Sequence, residues 1–112
     1  MLDVLVRSFE DFLGDGPATV VMFHEILTLG QRNPEIAYEL AELGRRTRSH
    51  LATALKAKSD AGVLALRDDP ETVAAFLVVL ADGILVRRMS EPEFDVRPLM
   101  DKSVAAARAL LS

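Results

Sequence analysis

The sequence predicts an all-α fold with five helices in a single domain. Leu, Val and Ala supply most of the apolar side chains, aromatic residues make up only 5%, and Trp is absent. This residue mix favours helices. Apolar residues recur three and four positions apart in several segments, and strand-like alternation is absent from the sequence. Residues 33–35 (Asn-Pro-Glu) and 69–71 (Asp-Pro-Glu) each combine a helix N-cap, a first-turn proline and an acid.

The first predicted helix covers residues 2–13, where an apolar stripe lies opposite charged residues. The sequence "GDGP" at residues 14–17 closes it, and Pro17 suits the first turn of a second helix that runs to about Gly30. The third predicted helix starts after the cap at Asn33 and is ended by Gly62. The fourth starts after Asp69 and runs to about residue 89, and a fifth starts after the cap at Asp95.

The composition of the chain limits the classes of function that it can have. The chain has 112 residues, 13 basic and 17 acidic, so its formal net charge is −4, and no basic run is present. Binding to nucleic acid by these residues alone is not expected, because phosphate neutralisation needs clustered Lys and Arg. The absence of cysteine excludes disulfides and thiol chemistry. The longest uncharged apolar run near the fourth helix, residues 73–81, is far shorter than the roughly 20 residues that span a bilayer. We expect a cytoplasmic protein without a cofactor.

The fourth predicted helix is apolar nearly all round. At 100° per residue its apolar positions form three stripes instead of one. The stripes are Val73, Leu77, Leu80 and Ile84; Ala74, Val78, Ala81 and Leu85; and Phe76, Val79, Gly83 and Val86. A helix on the outside of a small monomer needs one such stripe, so this helix is expected to be covered from several sides. Either a second copy of the chain covers it, or it forms the centre of one monomer.

The dimer is the favoured interpretation, because four other helices with mostly polar outer faces cannot easily surround this helix. Small residues in the last two helices permit close helix approach. Two helices from each chain would form a four-helix bundle across a twofold axis. The residues predicted to form this interface are Ala75, Val79, Gly83, Val86, Leu99, Ser103, Ala107 and Leu110.

Three segments together resemble a known family. They are "HEILTLGQRNPEIAYEL", "AGVLALRDDPETVAAFLVVLADGILV" and the capped final helix. In this order and spacing they resemble the C-terminal domain of TetR-family transcriptional regulators, over residues 9–111. The resemblance implies a domain that binds a small apolar or amphipathic effector and dimerises through its last two helices. The helix-turn-helix of that family has no counterpart in this sequence. DNA would then be bound only through an N-terminal domain missing here. The chain would be either an excised domain or a protein that lost its DNA-binding domain.

An effector pocket is expected between the first three helices and the inner side of the fourth. The residues predicted to line it are Phe9, Phe12, Phe23, His24, Leu27, His50, Leu51, Phe76 and Leu80. His24 and Glu25 occur in a mostly apolar helix, so both are expected to be buried and to need partners. Glu25 could pair with an Arg of the third helix.

His24 and His50 could converge, but without a placed carboxylate they make a weak metal signal, and no metal site is predicted. A catalytic nucleophile motif is also lacking, so an enzyme is not expected. Asp82 could cap a helix, pair with Arg87 or Arg88, or reach across the dimer.

Two functions therefore remain in competition. The first is an effector-binding and dimerisation domain of a transcriptional regulator. The second is a helical dimeric interaction module with a filled core and no effector. A cavity beside the second predicted helix would favour the first.

Overall fold

The computed structural model describes residues 17–111, with side chains from Val21 onward. Within this range the fold is all-α and contains four helices and no strand. They are α1 (Pro17–Gly30), α2 (Pro34–Asp60), α3 (Pro70–Ser90) and α4 (Arg97–Leu111). They confirm the second to fifth predicted helices, while the first predicted helix, residues 2–13, lies outside the described residues.

Helix α2 begins and ends where its flanking residues satisfy the free backbone groups. The Asn33 Oδ1 atom accepts hydrogen bonds from the backbone N–H groups of Glu35 (3.0 Å) and Ile36 (3.3 Å), which makes Asn33 the N-cap. At the other end, Gly62 has a φ of 78°, a conformation that favours glycine. The N–H of Gly62 donates to the Ser59 carbonyl and that of Val63 to the Lys58 carbonyl. This pair of bonds is a Schellman motif and stops the helix.

The other helix starts follow the same chemistry. The Asp69 Oδ2 atom accepts from the Thr72 N–H at 3.2 Å at the start of α3. Before α4, the Asp95 Oδ1 atom accepts from the Arg97 N–H at 3.1 Å. The predicted N-cap Asp69 is confirmed. Asp95 lies one residue before the cap position of α4, and its carboxylate satisfies a backbone donor that has no partner inside the helix.

Helices α1 and α2 approach closely at the turn between them. Gly30 is buried there, and a Cβ atom at this position would lie 2.7 Å from the Leu40 Cδ1 atom. The N–H of Asn33 donates to the Leu29 carbonyl at 3.0 Å and holds the turn. A glycine at this position therefore lets the end of α1 rest directly on α2.

The core lies where α2, α3 and the end of α4 meet. Its buried cluster consists of Ala52, Leu55, Val73, Ala74 and Leu111. Leu64 and Leu66, in the connector between α2 and α3, pack against this cluster together with Leu51 and Leu77. The connector is also fixed by a hydrogen bond from the Ala65 N–H to the Leu111 carbonyl at 3.0 Å. The core thus joins three helices at one end of the molecule.

The apolar stripe along α2 is only partly covered. Leu55 is fully buried, whereas Leu43, three turns earlier on the helix, is 52% exposed. Thr47 is exposed as well, and its hydroxyl donates to the Leu43 carbonyl at 2.9 Å. The stripe is therefore divided into a buried C-terminal part and an exposed middle part.

We predict that Leu55→Ala lowers the free energy of unfolding by about 2–5 kcal/mol, because it leaves a cavity in the centre of the core. The matched control is Leu43→Ala on the same helix, which should change stability by about 0.5 kcal/mol or less. Urea denaturation at one fixed protein concentration measures both. Equal losses in the two variants would contradict this description of the core.

We also predict that Asn33→Ala lowers the free energy of unfolding by about 1 kcal/mol, because the first N–H groups of α2 lose their acceptor. Asn33→Ser should restore most of the loss, since serine also caps helices. Thermal denaturation followed by circular dichroism measures these changes, with Gln31→Ala in the preceding turn as the control. A serine variant as unstable as the alanine variant would argue against capping as the cause.

Candidate functional site

One side of α3 carries apolar residues that no described part of the chain covers. Phe76 is 45% exposed, Val79 64% and Val86 42%. At 100° per residue these positions lie on one side of the helix together with Ala75, Asp82 and Gly83. We call these six residues the outer face of α3. The opposite side is buried through Val73, Ala74, Ile84 and Leu85.

This arrangement separates the three stripes predicted for the helix. Two stripes contribute to the interior of the chain, and the third, which contains Phe76 and Val79, faces outward. The described residues therefore do not cover α3 from all sides, as they would if α3 were the centre of this part of the chain. Burial of apolar surface is favourable in proportion to its area, so the outer face of α3 has the character of a contact surface.

Gly83 has no side chain, so no side-chain atoms project from this part of the outer face of α3. A Cβ atom built at Gly83 would meet no other atom within 4 Å, so the space outside the glycine is open. Ala75, nearer the start of α3 on the same face, is a second small residue. Small residues allow the backbone of a second helix to approach closely, as in other helix pairs with glycine or alanine at the contact.

The residues of α4 predicted to lie beside this face do not all reach the surface. Leu99 is 38% exposed, while Ser103 and Leu110 are partly buried. Ala107 is only 3% exposed, because it packs inside the chain. The prediction that placed Ala107 at an intersubunit surface is therefore wrong for the surface of this chain, which presents Leu99 instead.

Asp82 is the one ionisable residue among the six residues of the outer face of α3. Partial burial raises the pKa of its carboxyl above the ordinary value, and no hydrogen bond or charge from a described residue contributes to that shift. The predicted pairing with Arg87 does not occur, because the Arg87 Nη1 atom lies 3.0 Å from the Glu91 Oε2 atom instead. Within residues 21–111, the side chain of Asp82 has no hydrogen bond or ion pair.

A second candidate surface is a groove along α2 with a volume of about 1180 Å³. The described residues that line it all come from α2, and they combine apolar and cationic side chains. They are Leu43, Arg45, Arg46, Thr47, Ser49, His50, Leu51, Thr53, Ala54 and Lys58. We call this feature the α2 groove. It includes the predicted ligand-binding residues His50 and Leu51.

The cationic residues of the α2 groove were not predicted as ligand-binding. Arg45 and Arg46 are both exposed, and they border the groove. Arg45 is engaged by Glu42, with the Nη2 and Oε2 atoms 3.0 Å apart, and this hydrogen bond lowers the pKa of the Glu42 carboxyl. Arg46 and Lys58 have no ion pair among the described residues. The sequence signal was present in the position of the two arginines beside the exposed part of the stripe.

His24 and Glu25 were expected to be buried in the second predicted helix, and this expectation is wrong. Both side chains are exposed on α1, where they border a shallow depression of about 380 Å³ together with Thr28, Leu29 and Arg32. The residues on the same helix that remain partly covered are Phe23 and Leu27. No ion pair joins Glu25 to an arginine of α2 within the described part of the chain.

The predicted ligand-binding residues are therefore distributed over several places. His50 and Leu51 border the α2 groove, while His24 borders the separate depression on α1. Phe76 belongs to the outer face of α3, and Leu80 is partly buried on the same helix. Phe9 and Phe12 lie outside the described residues. The two histidines, which the sequence allowed to converge, border different depressions.

Among residues 21–111 there is no candidate site for chemistry that uses clustered metal ligands or buried acids. No group of three or more His, Asp or Glu side chains within this range could hold a metal ion. No polar or charged side chain in the same range is buried. What these residues offer is an apolar face, an open amphipathic groove and exposed charges, which suit binding by contact.

Comparison with known proteins identifies the protein family to which the chain belongs. The model of the C-terminal domain of BetI-type transcriptional repressors matches residues 1–111. Neither the comparison with curated proteins nor the comparison with solved structures gave a match. The chain belongs to this family of TetR-type C-terminal domains, as the sequence resemblance predicted.

Family membership assigns a general role. The chain is a C-terminal domain of a transcriptional regulator. Regulators of the TetR family are generally dimeric, and their C-terminal domains are generally not enzymes. None of the described helices is both long enough and apolar enough to span a membrane.

Proposed function

We propose that the chain is the effector-binding and dimerisation domain of a TetR-type repressor that works in the cytoplasm. Its family membership supports the regulatory role, and the exposed outer face of α3 is the observation that carries the proposal for these residues. DNA contact would come from an N-terminal domain outside this sequence. The net charge of −4 agrees with DNA contact by another domain, because an acidic domain gains little binding free energy from contact with phosphates.

Dimerisation is proposed to occur through the outer face of α3 together with the exposed part of α4. Two copies related by a twofold axis would place the same residues of each chain in one interface. Phe76, Val79 and Val86 would be buried there, and Leu99 would extend the contact on α4. Open space outside Gly83 would allow the two α3 helices to approach closely.

The effector is proposed to bind in the α2 groove. Leu43, Leu51 and Ala54 supply an apolar surface, while Arg46, His50 and Lys58 supply donors around it. This combination suits a small amphipathic molecule with an apolar body and an anionic group, because unpaired cations favour carboxylates and similar anions.

A short path connects the two proposed surfaces. Leu51 borders the α2 groove and also packs against the buried cluster that contains Val73 and Ala74 of α3. A ligand that moves Leu51 would therefore act on the inner side of the helix whose outer face forms the dimer. It could shift the balance of two dimer arrangements only by binding one of them more tightly than the other.

We predict that Val79→Arg raises the dissociation constant of the dimer about a hundredfold, because it would bury an unpaired cation in the interface. The matched control is Val63→Arg in the connector after α2. Val63 is 62% exposed and Val79 64%, so the two substitutions have similar effects on the single chain. Sedimentation equilibrium measures the dissociation constants.

Two results would contradict the proposed interface. One is a monomeric wild-type chain throughout the accessible concentration range. The other is a Val79→Arg variant that dimerises as tightly as the Val63→Arg variant.

We predict that medium-chain fatty acids stabilise the chain against heat more than the corresponding alcohols do, because the carboxylate would be held beside Arg46, His50 and Lys58. A ligand at a hundred times its dissociation constant should add about 2.7 kcal/mol to the free energy of unfolding. Differential scanning fluorimetry detects such a shift.

His50→Ala should weaken the effect, whereas His24→Ala, in the depression on α1, should leave it unchanged. Equal effects of the two substitutions would argue against the α2 groove. A dimer that none of the compounds stabilises would favour a helical interaction module without an effector.

A further inference from the structure

We infer that Asp82 makes dimerisation of this domain proton-linked, with the dimer tighter in mildly acidic solution than at neutral pH. The inference rests on the proposed dimer and adds a regulatory property to its interface. It starts from the position of Asp82 among Ala75, Val79, Gly83 and Val86, four small or apolar residues on the outer face of α3.

The second copy of the chain is the partner, because the family to which the chain belongs is generally dimeric. The exposed apolar residues of α3 extend from Phe76 to Val86, and Asp82 lies within this stretch. In the proposed dimer, a contact that covers Val79 and Val86 also covers the carboxylate of Asp82 between them. In a twofold dimer the interface then receives two such carboxylates, one from each chain.

The described residues offer no compensating charge. Arg87 is held by Glu91 at 3.0 Å, and Arg88 lies on another side of α3. On α2, Lys56 is held by Asp60 at 3.0 Å. The remaining ionisable side chains of the packed helices, and of the turn after α1, form no ion pair with Asp82. In the described part of α1, this turn, α2 and α4 the His, Asp, Glu, Lys and Arg residues concerned are His24, Glu25, Arg32, Glu35, Glu39, Glu42, Arg45, Arg46, Arg48, His50, Lys58, Arg97, Asp101, Lys102 and Arg108.

The direction of the pH effect follows from this environment. Removal from water disfavours the charged form of a carboxyl, and a second carboxylate nearby disfavours it further. Partial burial in the single chain already raises the pKa of Asp82, so closer coverage acts in the same direction. Dimerisation then takes up protons. Each pKa unit that dimerisation adds to Asp82 changes the dissociation constant about tenfold per subunit at neutral pH.

The test compares wild type with Asp82→Asn, a neutral side chain of nearly the same shape. Dissociation constants are measured by sedimentation equilibrium between about pH 7.5 and about pH 5. The whole of this pH range lies above the ordinary pKa of an Asp carboxyl. For a very tight dimer, the rate of subunit exchange between two labelled populations replaces this measurement. The matched control is Asp101→Asn, an exposed acid on α4 outside the apolar face. Circular dichroism verifies that each variant is folded.

At neutral pH the Asp82→Asn dimer is expected to be at least about tenfold tighter than the wild-type dimer. The ratio of the two dissociation constants should fall towards one as the pH falls, because wild-type Asp82 then becomes protonated. Asp101→Asn should follow wild type at every pH.

Three results would overturn the inference. A weaker Asp82→Asn dimer would mean that a cation of the partner pairs with Asp82. A pH-independent ratio would mean that Asp82 stays solvated. A monomeric wild type, together with a monomeric Val79→Arg variant, would remove the dimer of the proposed function itself.

Discussion

The buried cluster that contains Leu55 of α2 and Val73 of α3 is the packing interaction on which the rest of this structure depends. Leu55 and Val73 are the two largest fully buried side chains among the described residues, and both belong to the cluster that α4 completes with Leu111. Because the cluster covers one side of α3, it decides which side of that helix remains outside. The direction of the outer face is thus a consequence of how the core packs.

The boundaries of the helices could be predicted well from sequence, because they depend on local chemistry. Asn33, Asp69 and Asp95 each accept a backbone hydrogen bond from a residue two or three positions further on, and Gly62 adopts a backbone conformation that favours glycine. These interactions involve neighbours along the chain. A single sequence therefore contains nearly all the information that they need.

The placement of side chains on helix faces was predicted less well, because it depends on distant parts of the chain. A helical wheel shows that His24 shares a face with apolar residues, but it does not show whether another helix covers that face. The structure leaves His24 exposed and Ala107 buried, opposite to what the wheel favoured. For α3 the wheel worked better, since it predicted three apolar stripes. The described residues cover two of these stripes and leave Phe76, Val79 and Val86 of the third exposed.

The hydrogen bond from the Ala65 N–H to the Leu111 carbonyl has a consequence for folding during synthesis. Leu111 is also a member of the buried cluster, together with Ala52 and Leu55 of α2. The ribosome makes α2 and α3 long before the last turn of α4, so during that interval the apolar surface meant for Leu111 has no native cover. Contacts between residues far apart in sequence form late and leave such surface open to association with other chains. In nascent chains of this domain, this apolar surface therefore stays without its native cover until the last turn of α4 has left the exit tunnel.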